Sequence, residues 1–294
     1  MSFKTIEDLV GNTPLVEISS PNNKNNIFAK LEGNNPGGSV KDRPAMRMIS
    51  DAEKNGTIKK GDTLIEATSG NTGIALSMAA AIKGYKMIII MPETASDERI
   101  KTMKVYGSKV ILVDKEKDME GARDLANKMR DNNEGIVLDQ FSNPSNYFSH
   151  FDTTGPEIWK QTDGKITHFV SAMGTTGTIT GVSLFLKEKS EDIKIIGVQP
   201  KDGARIPGIR RWKEGYLPPI FKNAIVDEII DISQEDAEKT TIQLTKESGL
   251  FCGISSGANI LAAEKWIKAN NPSGIVFTVL SDRGERYCSI LDSK

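Results

Sequence analysis

Two segments carry residue types suited to binding an anion: Thr68-Ser69-Gly70-Asn71-Thr72-Gly73 and Gly174-Thr175-Thr176-Gly177-Thr178. Each sits between a short apolar run and a helix-like stretch. Glycines let the backbone approach an anion. The free N–H groups at the following helix start can then bind it, aided by the helix dipole. Threonine hydroxyls add donors. The second segment has consecutive donors and no charge of its own, so it reads as a phosphate loop. The first reads equally well as an anion site or a plain turn. Neither G-x-x-x-x-G-K-[ST] nor G-x-G-x-x-G occurs, so the phosphate need not belong to a nucleotide.

A third candidate is Lys41, in Gly37-Gly38-Ser39-Val40-Lys41-Asp42-Arg43. It falls at a helix start, where the positive helix end disfavours its own charge. A lysine of lowered basicity is what Schiff-base chemistry needs. From position alone, a solvated surface lysine is the ordinary reading. A fourth segment, Cys252-Gly253-Ile254-Ser255-Ser256-Gly257-Ala258, joins a short strand to a helix and looks like a nucleophile elbow. A serine hydrolase of that kind needs a histidine after the serine. Both histidines, His150 and His168, precede Ser255. Two histidines and two cysteines, with no H-E-x-x-H and no C-x-x-C, leave no metal site to expect. Cys252 and Cys288 read as two reduced, buried thiols.

The positioning elements follow from the hydrophobic pattern. Apolar runs at 27–31, 63–66, 86–91, 110–113, 136–138, 166–170, 195–198 and 275–280 read as strands. Helices are expected over 39–54, 74–83, 96–106, 119–130, around 157–159, and over 179–187, 234–248 and 259–269. Ser39 is the expected cap of the first, with Asp42 three residues on. Residues 22–26 form a polar turn cluster, and 203–223 form a long irregular stretch. Fully apolar strands separated by helices predict parallel sheets covered on both faces. The pattern breaks at Asn143-Pro144-Ser145-Asn146 and restarts, so two α/β domains are expected. With 294 residues, two domains is also the length-based expectation. Net charge is −1, which gives no bulk electrostatic reason to bind nucleic acid or an acidic membrane. The first residues show no apolar signal region, and the run Met87 to Met91 is too short to span a bilayer. A cytoplasmic protein is expected.

Taken together, these motifs resemble the fold type II pyridoxal-5′-phosphate enzymes, and within them the cysteine synthases (O-acetylserine sulfhydrylases). The resemblance runs from Gly11-Asn12-Thr13-Pro14-Leu15 through Lys30-Leu31-Glu32 and Glu66-Ala67-Thr68 to Gly284-Glu285-Arg286-Tyr287. The segment Ile206-Pro207-Gly208-Ile209-Arg210-Arg211-Trp212 is similar to that of the B-type isozymes. The resemblance implies a smaller mobile domain over 36–145 and a larger cofactor-binding domain over 1–35 plus 146–294. It implies that Lys41 links to the cofactor and serves as the acid–base group. Gly174, Thr175, Thr176, Gly177 and Thr178 hold the cofactor phosphate, Asn71 bonds the ring 3′ oxygen, and Ser255 faces the pyridine nitrogen. Thr68, Ser69, Gly70, Asn71, Thr72 and Gln140 grip the substrate carboxylate. Arg210 and Arg211 lie near the substrate entrance and help accept thiosulfate. The implied transferase reaction makes L-cysteine from O-acetylserine and sulfide, or S-sulfocysteine from thiosulfate, through an α-aminoacrylate. The domain closes to keep water out, and the enzyme works as a homodimer.

Two departures stand out. Ser281 precedes Asp282-Arg283-Gly284 where the B-type pattern has a cysteine, which bears on donor preference. The tail after Tyr287 is also short. Use of O-phosphoserine or serine, as in cystathionine β-synthase-like or dehydratase chemistry, shares Lys41 and both loops. A catalytically silent ligand-binding regulator is opposed by the intact Lys41, Asn71 and Ser255.

Overall fold

A computed structural model describes residues 4–18, 27–213 and 215–292. The expected turn at 22–26 lies outside the described residues. In chain order the elements are β1 (Leu15–Ile18), β2 (Ile27–Leu31), α1 (Asp42–Lys54), β3 (Thr63–Ala67), α2 (Asn71–Lys83), β4 (Lys86–Pro92), α3 (Asp97–Val105), β5 (Lys109–Val113), α4 (Asp118–Asp131), β6 (Ile136–Val137) and α5 (Pro144–Ser149). A π-helical turn, His150–Thr154, leads into α6 (Gly155–Gln161). Then come β7 (Ile166–Ala172), α7 (Gly177–Lys189), β8 (Lys194–Pro200), β9 (Glu228–Ile232), α8 (Gln234–Ser248), α9 (Ile254–Asn270), β10 (Ile275–Leu280) and α10 (Cys288–Leu291).

The chain divides into two compact units. One comprises Met1–Val10 with Lys41–Asn146, the other Gly11–Val40 with Tyr147–Lys294. Residues 4–10 group with the smaller unit because Glu7 pairs with Lys83 at 2.8 Å and Val10 packs on its core.

The smaller unit holds a parallel sheet in the order β5-β4-β3-β6. Its central strands are buried on both faces, and period-two alternation sends neighbouring side chains to opposite sides. Leu64, Met87, Ile89 and Met91 meet α1 and α2, while Ile65, Ala67, Ile88 and Ile90 meet Ala122, Ala126 and Met129 of α4. Helix α2 is apolar around most of its circumference, as a buried helix should be. It ends at Gly84, whose φ of +78° closes the last turn in the left-handed region.

The larger unit holds six strands in the order β1-β2-β10-β7-β8-β9, all parallel except that β1 runs antiparallel to β2. Val170, Ile196, Val198 and Val276 face α8 and α9, while Phe169, Ile195, Phe277 and Val279 face α6 and α7.

Several local expectations are corrected. Ser39 does not cap α1. It is buried in a bridge to Asp282, and the helix begins at Asp42 with Lys41 in the cap position. Helix α9 starts at Ile254, five residues before its expected start, so Ser255 belongs to its first turn. Cys252 makes an isolated bridge to Arg283 rather than a strand. Strands β1 and β9 escaped the pattern because they lie at sheet edges and mix polar with apolar residues. Helix α5 spans part of the apparent break at 143–146.

Candidate active site

In an open parallel sheet, a ligand crevice opens where consecutive connections leave a strand to opposite sides. In the smaller unit that point is the carboxyl end of β3 beside β6. The 68–73 loop and residues 138–140 both emerge there, and the structure joins them. Thr72 Oγ1 donates to Gln140 Oε1 at 2.7 Å, and Asn146 Nδ2 donates to the Gln140 carbonyl at 2.6 Å. Glu66, buried at the end of β3, accepts the N–H of Asp139 at 3.0 Å and of Gln140 at 3.2 Å, one on each carboxylate oxygen. Arg99 Nη1 donates to the Ser69 carbonyl at 3.3 Å. Asn71 opens α2, and no charged residue occupies the first turn. Thr68, Ser69, Gly70, Asn71, Thr72 and Gln140 therefore meet at one helix start, the kind of place that favours an anion.

Glu66 is a positioning residue that the sequence reading did not single out. Burial pushes its carboxyl up to about 8, against the two N–H bonds that favour the charged form. The folded state thus keeps a proton that the unfolded chain releases near 4.5. The stability this contributes is complete below pH 4.5 and is lost as pH rises through about 8. Thermal melts across pH 5.5 to 9 should show a decline that Glu66→Gln largely flattens. At the acid end the variant should be less stable than the wild type by ~1–3 kcal/mol, because one buried N–H loses its acceptor.

In the larger unit the corresponding point lies between β7 and β10, and the 174–178 loop leaves β7 there. Thr176 sits in the left-handed region at φ +69°, as the cap of α7. That conformation turns successive N–H groups toward one point. Gly174 is required: a Cβ there would run into the Gly208 carbonyl. The 206–212 segment packs along the loop. The Arg210 N–H donates to the Met173 carbonyl and Trp212 Nε1 to the Gly174 carbonyl, both at 3.0 Å. Ser255 is buried in the first turn of α9, close to Gly208. Ser256 Oγ accepts the Ser281 N–H at 3.0 Å, and the Ser281 carbonyl accepts the Val40 N–H at 2.8 Å. The next residue is Lys41, half-buried at the N-cap of α1. It is therefore not the solvated surface lysine that position alone suggested. Arg211 pairs with Asp231 at 2.8 Å and donates to the Pro200 carbonyl, while the Arg210 guanidinium lies 5.7 Å from the Trp212 ring. Arg211 is thus held at the ends of β8 and β9.

The family profile of pyridoxal-phosphate dependent enzymes matches residues 6–282. The chain belongs to that family. It is 57% identical over 289 residues to cysteine synthase B of Escherichia coli K12, covering 98% of this chain and 95% of that one. Identity to cysteine synthase B of Pseudomonas aeruginosa is 54% over 291 residues, covering 98% and 97%. The crystal structure of a cysteine synthase from Entamoeba histolytica superposes with a TM-score of 0.92 at 41% identity, covering 99% of this chain and 90% of that one. The larger unit fits the cofactor's phosphate on its own geometry. Thr176 Oγ1 is buried and meets no hydrogen-bond partner among the described residues, and the glycine at 174 keeps the loop against the 206–212 segment. No cluster able to hold a metal ion occurs among the described residues.

Of the two thiols expected to be buried, Cys252 is buried and Cys288 is exposed, because α10 carries the latter to the surface. Burial, helped by the Asp282 carboxylate, pushes the Cys252 thiol up to about 12. A chromogenic disulfide reagent at pH 8 should therefore titrate one thiol in the native protein and both after denaturation.

Proposed function

We propose that this chain makes L-cysteine from O-acetyl-L-serine and sulfide, or S-sulfocysteine from thiosulfate. The observation that carries the reading is near-complete alignment with cysteine synthases B at 54–57% identity, with Lys41, both donor loops and Ser255 present. Pyridoxal phosphate supplies an electron sink conjugated to the substrate's α carbon. The chain's own residues do the rest. Gly174, Thr175, Thr176, Gly177 and Thr178 hold the phosphate, and Asn71 donates to the ring 3′ oxygen. Ser255 offers the ring nitrogen a neutral partner, which enforces less positive charge there than a carboxylate would. That suits elimination, in which the leaving group carries away the electron pair. Thr68, Ser69, Gly70, Asn71, Thr72 and Gln140 bind and orient the substrate carboxylate. Lys41 holds the cofactor covalently, takes the α-proton and later returns one. Acetate leaves Cβ and the sulfur nucleophile takes its place. A homodimer working in the cytoplasm is part of the same reading; no described helix is long and apolar enough to cross a membrane.

The test is product formation by the purified holoenzyme with O-acetylserine, O-phosphoserine or serine, each with sulfide or thiosulfate. Cysteine from O-acetylserine at the highest kcat/KM supports the reading. Turnover of O-phosphoserine or serine alone overturns it. Arg210→Ala should raise the KM for thiosulfate about tenfold while leaving that for sulfide within about twofold, since one charge-assisted contact is worth about that much.

A further inference from the structure

The segment Gly284-Glu285-Arg286-Tyr287 lies outside both donor loops and forms a 3-10 turn after β10. The turn is firmly seated. The Gly284 N–H donates to the Phe251 carbonyl at 3.1 Å, and the buried Tyr287 hydroxyl donates to Asp282 Oδ2 at 2.6 Å. From this turn the half-buried Arg286 reaches the stretch that runs into Lys41. Its Nη2 donates to the Gly37 carbonyl. A Cβ on Gly38 would come within 2.6 Å of the same nitrogen, and Gly38 holds φ +83°, a conformation that favours glycine.

Two consecutive glycines just upstream of a reactive lysine need an outside restraint. Glycine carries the most backbone freedom, and neither residue has a side chain to pack. Any change of chain direction there is passed on to Lys41. The restraints come from the chain that follows β10. The Val40 N–H donates to the Ser281 carbonyl at 2.8 Å, Ser39 bridges to Asp282, and Arg283 Nε donates to the Gly33 carbonyl at 2.9 Å. The Arg286 bond is the one of these that falls on the glycine pair. Gly37 is buried, so its carbonyl must be satisfied from within the protein.

We infer that Arg286 is a positioning residue for Lys41: by holding the Gly37 carbonyl it fixes the direction in which the chain enters the N-cap of α1. The inference rests on the reading that Lys41 joins the cofactor and serves as the base. A charged donor suits the task, because its bond to a carbonyl is stronger than a neutral one. The leverage is large, since misplacing a reacting group by about 1 Å can cost about 100-fold in rate.

Arg286→Met, Arg286→Gln, Arg286→Lys and Lys41→Ala, each compared with the wild type, test this. Two ligands separate the lysine from the rest of the site. Pyridoxine 5′-phosphate has the ring and the phosphate but no aldehyde, so it binds without joining Lys41. Pyridoxal phosphate does both. Cofactor-free Arg286→Met should bind pyridoxine phosphate within about twofold of the wild type, because the 174–178 loop and Ser255 are untouched. Pyridoxal phosphate should join its lysine about tenfold more slowly, read from the growth of visible absorption, and kcat should fall about tenfold. Hydrogen exchange at the amides of Gly38, Ser39 and Val40 should quicken about tenfold. Arg286→Lys keeps a charged donor and should bring the joining rate and kcat back to within about threefold of the wild type. A wild-type joining rate and kcat in Arg286→Met overturn the role, whatever the exchange rates. So does an equal loss of pyridoxine phosphate affinity, since the whole site would then have moved, and so does a failure of Arg286→Lys to recover. If Lys41→Ala still gains the visible absorption, the reading of Lys41 itself fails. Should Arg286→Met fail to fold, Arg286→Gln, polar but too short to reach Gly37, decides by the same readouts.

Discussion

Lys41→Ala is expected to lower kcat by at least ~10³-fold and to remove the visible absorption of the lysine-bound cofactor. Both losses come from one atom. Nζ is the group that holds the cofactor covalently, and it is also the base at the substrate's α carbon. The placement favours this double duty. Lys41 follows Val40 directly, and Val40 is tied through its N–H to Ser281 at the carboxyl end of β10. The lysine is therefore anchored by a buried strand end, while its own side chain is only half-buried. It makes no side-chain cap on α1, and its carbonyl still accepts the Ala45 N–H at 3.0 Å. Truncating the side chain leaves that backbone bond in place. The far-ultraviolet circular dichroism of the cofactor-free variant should therefore match that of the cofactor-free wild type, with α1 retained. Loss of turnover and absorption together, with the fold intact, identifies Lys41. Retained turnover excludes it as the base.

The contrast between Lys41 and Glu66 shows what the sequence could reveal. The 174–178 loop stands out by type and spacing, whereas Lys41 and the 68–73 loop stand out only within the whole set of motifs and the family it resembles, because a surface lysine and a plain turn read at least as well from position alone. The strand–helix alternation was legible more directly: β3, β4, β7 and β10 are buried on both faces, so apolar content alone marks them. Edge strand β9 was not legible, since Glu228 and Asp231 interrupt its apolar run and its pairing depends on β8. Glu66 looked like a polar residue closing a strand. Its purpose depends on the Asp139 and Gln140 backbone, which is more than 70 residues away. The start of α1 was misplaced because Ser39 has good capping chemistry but is committed to the bridge with Asp282.

Gly174→Ala is expected to weaken pyridoxal phosphate binding by about 100-fold or more while Gly70→Ala leaves it within about threefold, a contrast set by loop geometry rather than by lost contacts to the anion. A methyl at 174 meets the Gly208 carbonyl, which is backbone and cannot swing aside like a side-chain tip. Either the loop or the 206–209 segment must shift. Gly208 is itself held at φ +87°, where few other residues settle, and its carbonyl is flanked by the bonds Arg210 N–H to Met173 and Trp212 Nε1 to Gly174. The loop is the softer partner, and moving it misaligns the N–H groups around Thr176. An anion site made of several aligned donors loses affinity with each one displaced, roughly tenfold per charge-assisted bond. Gly70 provides the matched control. A Cβ there meets nothing within 4 Å, and its φ of −114° suits any residue. Absorbance titration of the cofactor-free proteins measures both. Equal affinities for the two variants would show that the 174–178 loop does not grip the phosphate. A large loss at 174 alone, with carboxylate binding in the smaller unit unaltered, would place phosphate recognition on the left-handed turn at Thr176.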